Sequence, residues 1–138
     1  MIALDTNVLA RYYVASSDVL SQKQNAAAKK LLESGKLLFV SKTVVLELEW
    51  VLRGYYKSPP EDVLIVLQHL LSMSHVDLED RVAVELAIAA LGDGFDFADA
   101  LHHASSRHCT IMATFDDKKF VRCASAKAWK PPVKLVAP

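Results

Sequence analysis

The sequence predicts an α/β fold on a mainly parallel sheet, in a single domain over residues 1–138. Two observations predict it. Short strand-like runs at Ile2–Leu4, Leu37–Val40, His75–Leu78 and Thr110–Phe115 alternate with longer stretches of helical pattern, and strands separated by helices pair in parallel. The chain has 138 residues, 52% apolar and 23% charged, enough for a real core and unlike a disordered segment.

In order, Ile2–Leu4 reads as a strand and residues 7–13 as a short helix or turn. The pattern is helical over 18–34, with Gly35 as a stop signal. Leu37–Val40 is a second strand, and Ser41 fits the cap of a helix over 42–56. Pro59-Pro60 breaks the chain, and a helix over 60–73 opens with Pro60, Glu61 and Asp62. His75–Leu78 is a third strand, residues 79–91 a helix, and Gly92-Asp93-Gly94 a loop. A helix over 97–107 follows. Thr110–Phe115 is the clearest strand, with a short helix near 117–125 and an edge strand at Val133–Val136.

No apolar run is long enough to span a bilayer, and no signal-peptide pattern opens the sequence. Cys109 and Cys123 lack metal-type spacing and are too few for a disulfide framework. A cytoplasmic protein away from membranes is expected. Charge is uneven: residues 1–117 carry all 16 acids and 10 of the 16 Lys and Arg, while residues 118–138 carry the other 6 bases and no acid. The basic tail is either a solvated surface or a strip for phosphate or a partner.

Asp5 and Asp116 each follow an apolar run, in "IALD" and "IMATFD". Ligands bind beyond the carboxyl ends of parallel strands. Each Asp also fits a helix cap. Two strands delivering Asp to one edge would bring like charges together, which a divalent cation relieves. This reading expects a buried first strand holding Asp5. Glu49 has Arg53 four residues on and reads as a surface ion pair. Glu47 has Val44, Trp50 and Val51 around it and no base on its own helix within reach, so a metal or a partner from elsewhere is expected. In "DFADALHHA", Asp96 fits an N-cap and Asp99 the first helical turn. His102 and His103 face different ways and read as structural or surface residues.

Asp5, Glu47, Asp99 and Asp116 would form an all-oxygen cluster, which suits Mg²⁺ or Mn²⁺ rather than zinc and the hydrolysis of phosphodiesters. Thr6, Asn7 and Thr114 could hydrogen-bond the carboxylates and fix them.

"LDTNVL", "VVLELEWVLRGYY", "DFADALHHA" and "TFDDKKF" together resemble the PIN-domain ribonucleases, and in particular the VapC-type toxins of toxin–antitoxin pairs. The resemblance spans nearly the whole chain. It implies an α/β/α sandwich and an endoribonuclease dependent on Mg²⁺ or Mn²⁺. Asp5, Glu47, Asp99 and Asp116 match its four acids, Asp96 the extra acid of "DFAD", and Thr114 the small hydroxyl residue. The family often has a basic residue after "TFD". Asp117 stands there, so either Asp116 or Asp117 could face the metal, and Asp116 is favoured because it directly follows "TF". The resemblance also implies a homodimer and a cognate antitoxin. Tyr12, Tyr13, Trp50, Tyr55 and Tyr56 are candidates for a groove taking that partner, or plain core and surface aromatics. Lys118, Lys119 and Arg122 are candidates for RNA phosphate contacts. Two rival readings remain: a metal-dependent phosphatase, against which Asn7 stands where a second Asp is usual, and a non-catalytic domain with an acidic binding pocket.

Overall fold

Strand β1 (Ile2–Ala3) runs parallel to β2 (Leu38–Val40), with Ile2 opposite Leu38. The computed structural model describes residues 1–138. Strand β3 (Val76–Leu78) pairs parallel with the other side of β2, giving the order β1-β2-β3. Leu38, Val40, Val76 and Leu78 are buried, as expected for strands connected through helices. β1 departs from expectation. Ile2 and Ala3 are exposed and only Leu4, just past the strand, is buried. The reason is position: in this sheet β1 is an edge strand with β2 on one side only.

The chain divides into two compact units, Met1–Arg81 and Val82–Pro138. In the first, helix α1 (Thr6–Tyr13) starts at Asp5, whose carboxylate accepts from the Thr6 amide at 2.8 Å. Helix α2 (Val19–Leu32) starts at Asp18, which accepts from the Ser21 amide. Gly35, at φ +78°, makes the turn into β2 that a residue with a Cβ adopts only under strain. Helix α3 (Lys42–Trp50) is capped by Ser41, whose hydroxyl accepts from the Val44 amide at 3.3 Å. The expected helix over 42–56 is present but changes character, since residues Val51–Tyr55 continue it as a π-helical turn. Helix α4 (Pro60–Ser72) opens on Pro60, whose missing N–H is not needed there. It buries Val63, Leu67 and Leu70, one face at helical spacing. Burying each such Leu contributes about 1.5–3 kcal/mol.

The second unit holds nearly all of helix α5 (Arg81–Gly92), then helix α6 (Phe97–Ser105), strand β4 (Met112–Thr114), helix α7 (Arg122–Ala126) and strand β5 (Val133–Leu135). β4 and β5 pair in parallel, with Met112 opposite Val133. A π-helical turn, Asp117–Val121, leads into α7. Phe120, Ala124 and Val133 form a core with Met112, Val121 and Trp129 packed on it. Trp129 stacks on Phe95 at 4.1 Å and lies 4.5 Å from the His103 ring. His103 is buried, with Nε2 hydrogen-bonded to the Pro131 carbonyl at 2.7 Å, so its role is structural. His102 is exposed. All strand pairing is parallel, and the chain is a mixed α/β fold. No helix is long and apolar enough to cross a membrane.

Candidate active site

The second unit carries three of the acids, Asp96, Asp99 and Asp116. Asp96 caps α6, accepting from the Asp99 amide at 3.0 Å. That bond places Asp99 in the first turn, at the positive end of the helix. Asp116 caps the π-helical turn and accepts from the Lys119 amide at 3.1 Å. The Thr114 hydroxyl oxygen accepts from the Asp116 amide at 3.0 Å and holds the backbone of that corner. A strand-end Asp thus serves as a cap at both Asp5 and Asp116, and capping leaves further carboxylate lone pairs for a ligand.

Asp99 carries the electrostatic signature. Its carboxyl is pushed above the usual range, first by burial and then by the charges of Asp96 and Asp116. His102 and Lys119 partly offset this. Of the pair Asp116–Asp117, Asp116 is the one whose charge acts on Asp99. Lys119, a candidate phosphate contact on sequence, therefore also neighbours the acids electrostatically. The signal in the sequence was its place three residues after Asp116, where a cap receives its amide. Lys118 and Arg122 are exposed.

In the first unit, Asp5 is exposed at the start of α1, and Glu47 lies on α3, which packs against α1. Two expectations on α3 need correcting. Glu47 is exposed, so water solvates it, and the argument from burial among apolar neighbours falls away. Glu49 is the buried acid, 3% exposed, and its ion pair is no surface pair. Residues three or four apart share a helix face, and Glu49 falls on the face of Val45 and Leu52, both buried. Thr6 is buried, and its hydroxyl makes no hydrogen bond. Its link to Asp5 runs through the Thr6 backbone amide. Asn7 is exposed.

Among the aromatics, Tyr13 hydrogen-bonds His69 at 2.8 Å, and burial pushes its phenol pKa up. Tyr12 packs edge-on against Tyr13 and Tyr55 against Tyr56, each at 4.9 Å. Trp50 and Tyr55 are 57% and 72% exposed.

Within neither unit do three His, Cys, Asp or Glu side chains gather around one point at metal-binding distance. The donors nevertheless fit a hard divalent cation. They are carboxylates without a thiolate, one is raised by burial and then by its like-charged neighbours, and the hydroxyl beside Asp5 is buried without a partner.

Carboxylates at strand ends and helix starts of a parallel α/β fold stand where such folds bind ligands. Residues 2–125 match the PIN domain, and the chain belongs to that family. PIN domains are generally nucleases that need divalent metal ions, and membership points to RNA binding. Comparison with curated proteins and with solved structures gave no significant match.

Proposed function

We propose that the chain is a metal-dependent endoribonuclease and acts as the toxin of a VapC-type toxin–antitoxin pair, with residues 1–138 working as one PIN domain. The observation that carries this reading is the Asp96–Asp99–Asp116 group, with Asp96 and Asp116 fixed by hydrogen bonds to backbone amides and Asp99 raised by burial and then by its two acidic neighbours. Asp5, Glu47 and Asp99 would hold Mg²⁺ or Mn²⁺, with Asp116 completing the set directly or through water. When bound, the ion supplies polarisation of a phosphoryl oxygen and a lowered pKa for an attacking water.

The remaining roles fall to the chain. Thr114 and Asp96 orient Asp116 and Asp99. The Thr6 amide holds Asp5, and the Thr6 hydroxyl and Asn7 side chain would serve the carboxylates once the ion is bound. Lys118, Lys119 and Arg122 take backbone phosphates and counter the repulsion between RNA and an acidic site. The products are a 5′-phosphate and a 3′-hydroxyl. The partners are RNA, a second copy of the chain and a cognate antitoxin, whose Arg can pair with the carboxylates. The location is the cytoplasm.

The test is cleavage of a mixed cellular RNA pool by wild type and Asp5→Asn, each with Mg²⁺, Mn²⁺ or EDTA. Metal-dependent cuts lost in the variant support the reading. Robust cleavage in EDTA, or identical cuts by both proteins, would sink it. Phosphate release from a small monoester without RNA cleavage would favour the phosphatase.

A further inference from the structure

A shallow cavity of about 480 Å³ lies in the first unit, along α1 and α2. Asn7 and Arg11 line it from α1, and Gln24, Ala27, Ala28 and Leu31 from α2. The spacings are helical. Asn7 and Arg11 are one turn apart, and Gln24, Ala27, Ala28 and Leu31 follow i, i+3, i+4, i+7, so each helix presents one face. The two helices are tied together there. The Asn25 side-chain amide donates to the Val14 carbonyl at 2.9 Å and also to the Arg11 carbonyl.

The chemistry of the cavity is specific. Arg11 is its one ionisable group, so the site is cationic. The guanidinium is lightly engaged, with one long bond to the Ser16 hydroxyl at 3.4 Å. Its charge also acts on Asp18, an exposed carboxylate that already accepts from the Ser21 amide. Val8, Ala27, Ala28 and Leu31 give an apolar surface, and Asn7 and Gln24 give two amides that can both donate and accept. An apolar surface with a few polar groups, in a cavity of this size, is the usual makeup of a small-ligand site.

We propose that this cavity is a nucleotide subsite, which takes one unpaired nucleotide of the RNA strand next to the bond that is cut. The inference rests on the nuclease reading and deepens it. The phosphate pairs with Arg11, whose fork suits that group. The base lies over Ala27 and Ala28, the Gln24 amide bonds its edge, and the Asn7 Oδ1 accepts from it while the Asn7 NH₂ serves a carboxylate. Unpaired RNA exposes base faces and edges that a duplex hides, so the subsite selects single-stranded segments. Its place follows from the chain: Asp5 caps the helix that carries Asn7 and Arg11. Arg11 and the two amides match the phosphate and the polar base edge of a nucleotide, which a purely apolar occupant does not offer.

The experiment is an NMR titration of the metal-free full chain with each of the four nucleoside 5′-monophosphates and, separately, with inorganic phosphate. At least one nucleotide should shift the side-chain amides of Asn7 and Gln24 and the Arg11 Nε signal. Ala27→Phe, which fills the cavity from an exposed position, should abolish those shifts. In cleavage assays it should raise KM about tenfold with little change in kcat, the scale of one lost base contact. Arg11→Lys should keep part of the affinity that Arg11→Ala loses. Shifts from inorganic phosphate that equal those from the nucleotides would overturn the base-binding role. So would no shift from any nucleotide, or an unchanged KM in Ala27→Phe, which would give the groove to another partner. Metal-dependent cleavage without nucleotide shifts sinks the subsite and spares the nuclease. Nucleotide shifts without cleavage under any metal sink the nuclease and with it the subsite's place beside a cut bond, leaving a nucleotide-binding cavity.

Discussion

Arg53 closes on Glu49 with two hydrogen bonds, Nε to Oε2 at 2.8 Å and Nη2 to Oε1 at 3.3 Å. The carboxylate end is buried while the Arg side chain is 54% exposed. Glu49 is thus a structural acid, and Glu47, two residues away on the open face of the same helix, is the one available to a ligand. Glu49→Gln loses the charge-assisted pair at a buried position and should cost about 1–3 kcal/mol of stability. Glu47→Gln should leave stability within about 0.5 kcal/mol and abolish cleavage. Urea denaturation and RNA cleavage on both variants check this. Equal stability loss in both would put the two acids in the same environment and refute the distinction.

Asp99 predicts a conflict between function and stability. A carboxyl whose folded-state pKa lies above its unfolded value binds a proton more readily when folded. The stability linked to it is fully present below the unfolded value and is lost as pH rises through the raised folded value. Asp99 is shifted in this direction by burial and by Asp96 and Asp116. Asp99→Asn removes the penalty, so at neutral pH it should have a higher urea midpoint than wild type. The gain should shrink as pH falls below the carboxylate range, where wild-type Asp99 is neutral in both states. Cleavage should be lost at every pH. A midpoint at or below the wild-type value at neutral pH would show that the repulsion is absent.

Metal should act on the same charges. If Asp5, Glu47, Asp99 and Asp116 hold one ion, Mg²⁺ or Mn²⁺ binds the folded chain and not the unfolded one, and the melting temperature rises with metal concentration. The rise should be largely absent in Asp5→Asn and in Asp116→Asn. Asp117→Asn should keep it, because Asp116 is the neighbour that acts on Asp99. A loss in Asp117→Asn with retention in Asp116→Asn would reverse that assignment.

The sequence was most legible where local rules decide. Ser41 and Asp96 cap the helices they were expected to cap, since a cap needs only a short polar side chain and a free amide three residues on. The strand positions and their parallel pairing followed from alternation with helices. Burial was less legible. Helical spacing places residues on a face but does not say which face turns inward, and Glu47 and Glu49 sit on different faces of one amphipathic helix. The basic partner four residues after Glu49 marked the pair correctly but said nothing of depth. The edge position of β1 was hidden for a related reason. "IAL" reads the same whether a strand is flanked on one side or two. The cavity of Arg11 and Gln24 depends on how α1 packs on α2, which no local pattern encodes.

Lys119 acts electrostatically on Asp99, and this separates it from Lys118 and Arg122 in the proposed phosphate strip. Lys118, Lys119 and Arg122 are all exposed, and each is assigned to an RNA phosphate. On a single strand, the logarithm of affinity falls with the logarithm of salt by about 0.7 per phosphate neutralised, so replacing all three by Ala should flatten the slope by about 2. Taken singly, Lys118→Ala and Arg122→Ala should weaken binding and leave the pH dependence of cleavage unchanged. Lys119→Ala should do more. Its charge lowers the Asp99 pKa, so its loss lets that pKa climb further. In the proposed mechanism Asp99 acts ionised, so the acid limb of the rate profile should move to higher pH in Lys119→Ala alone. Lys119→Arg, which keeps the charge, should restore the wild-type limb. An unmoved limb in Lys119→Ala would confine Lys119 to phosphate binding, and an equal shift in all three variants would point to general surface charge.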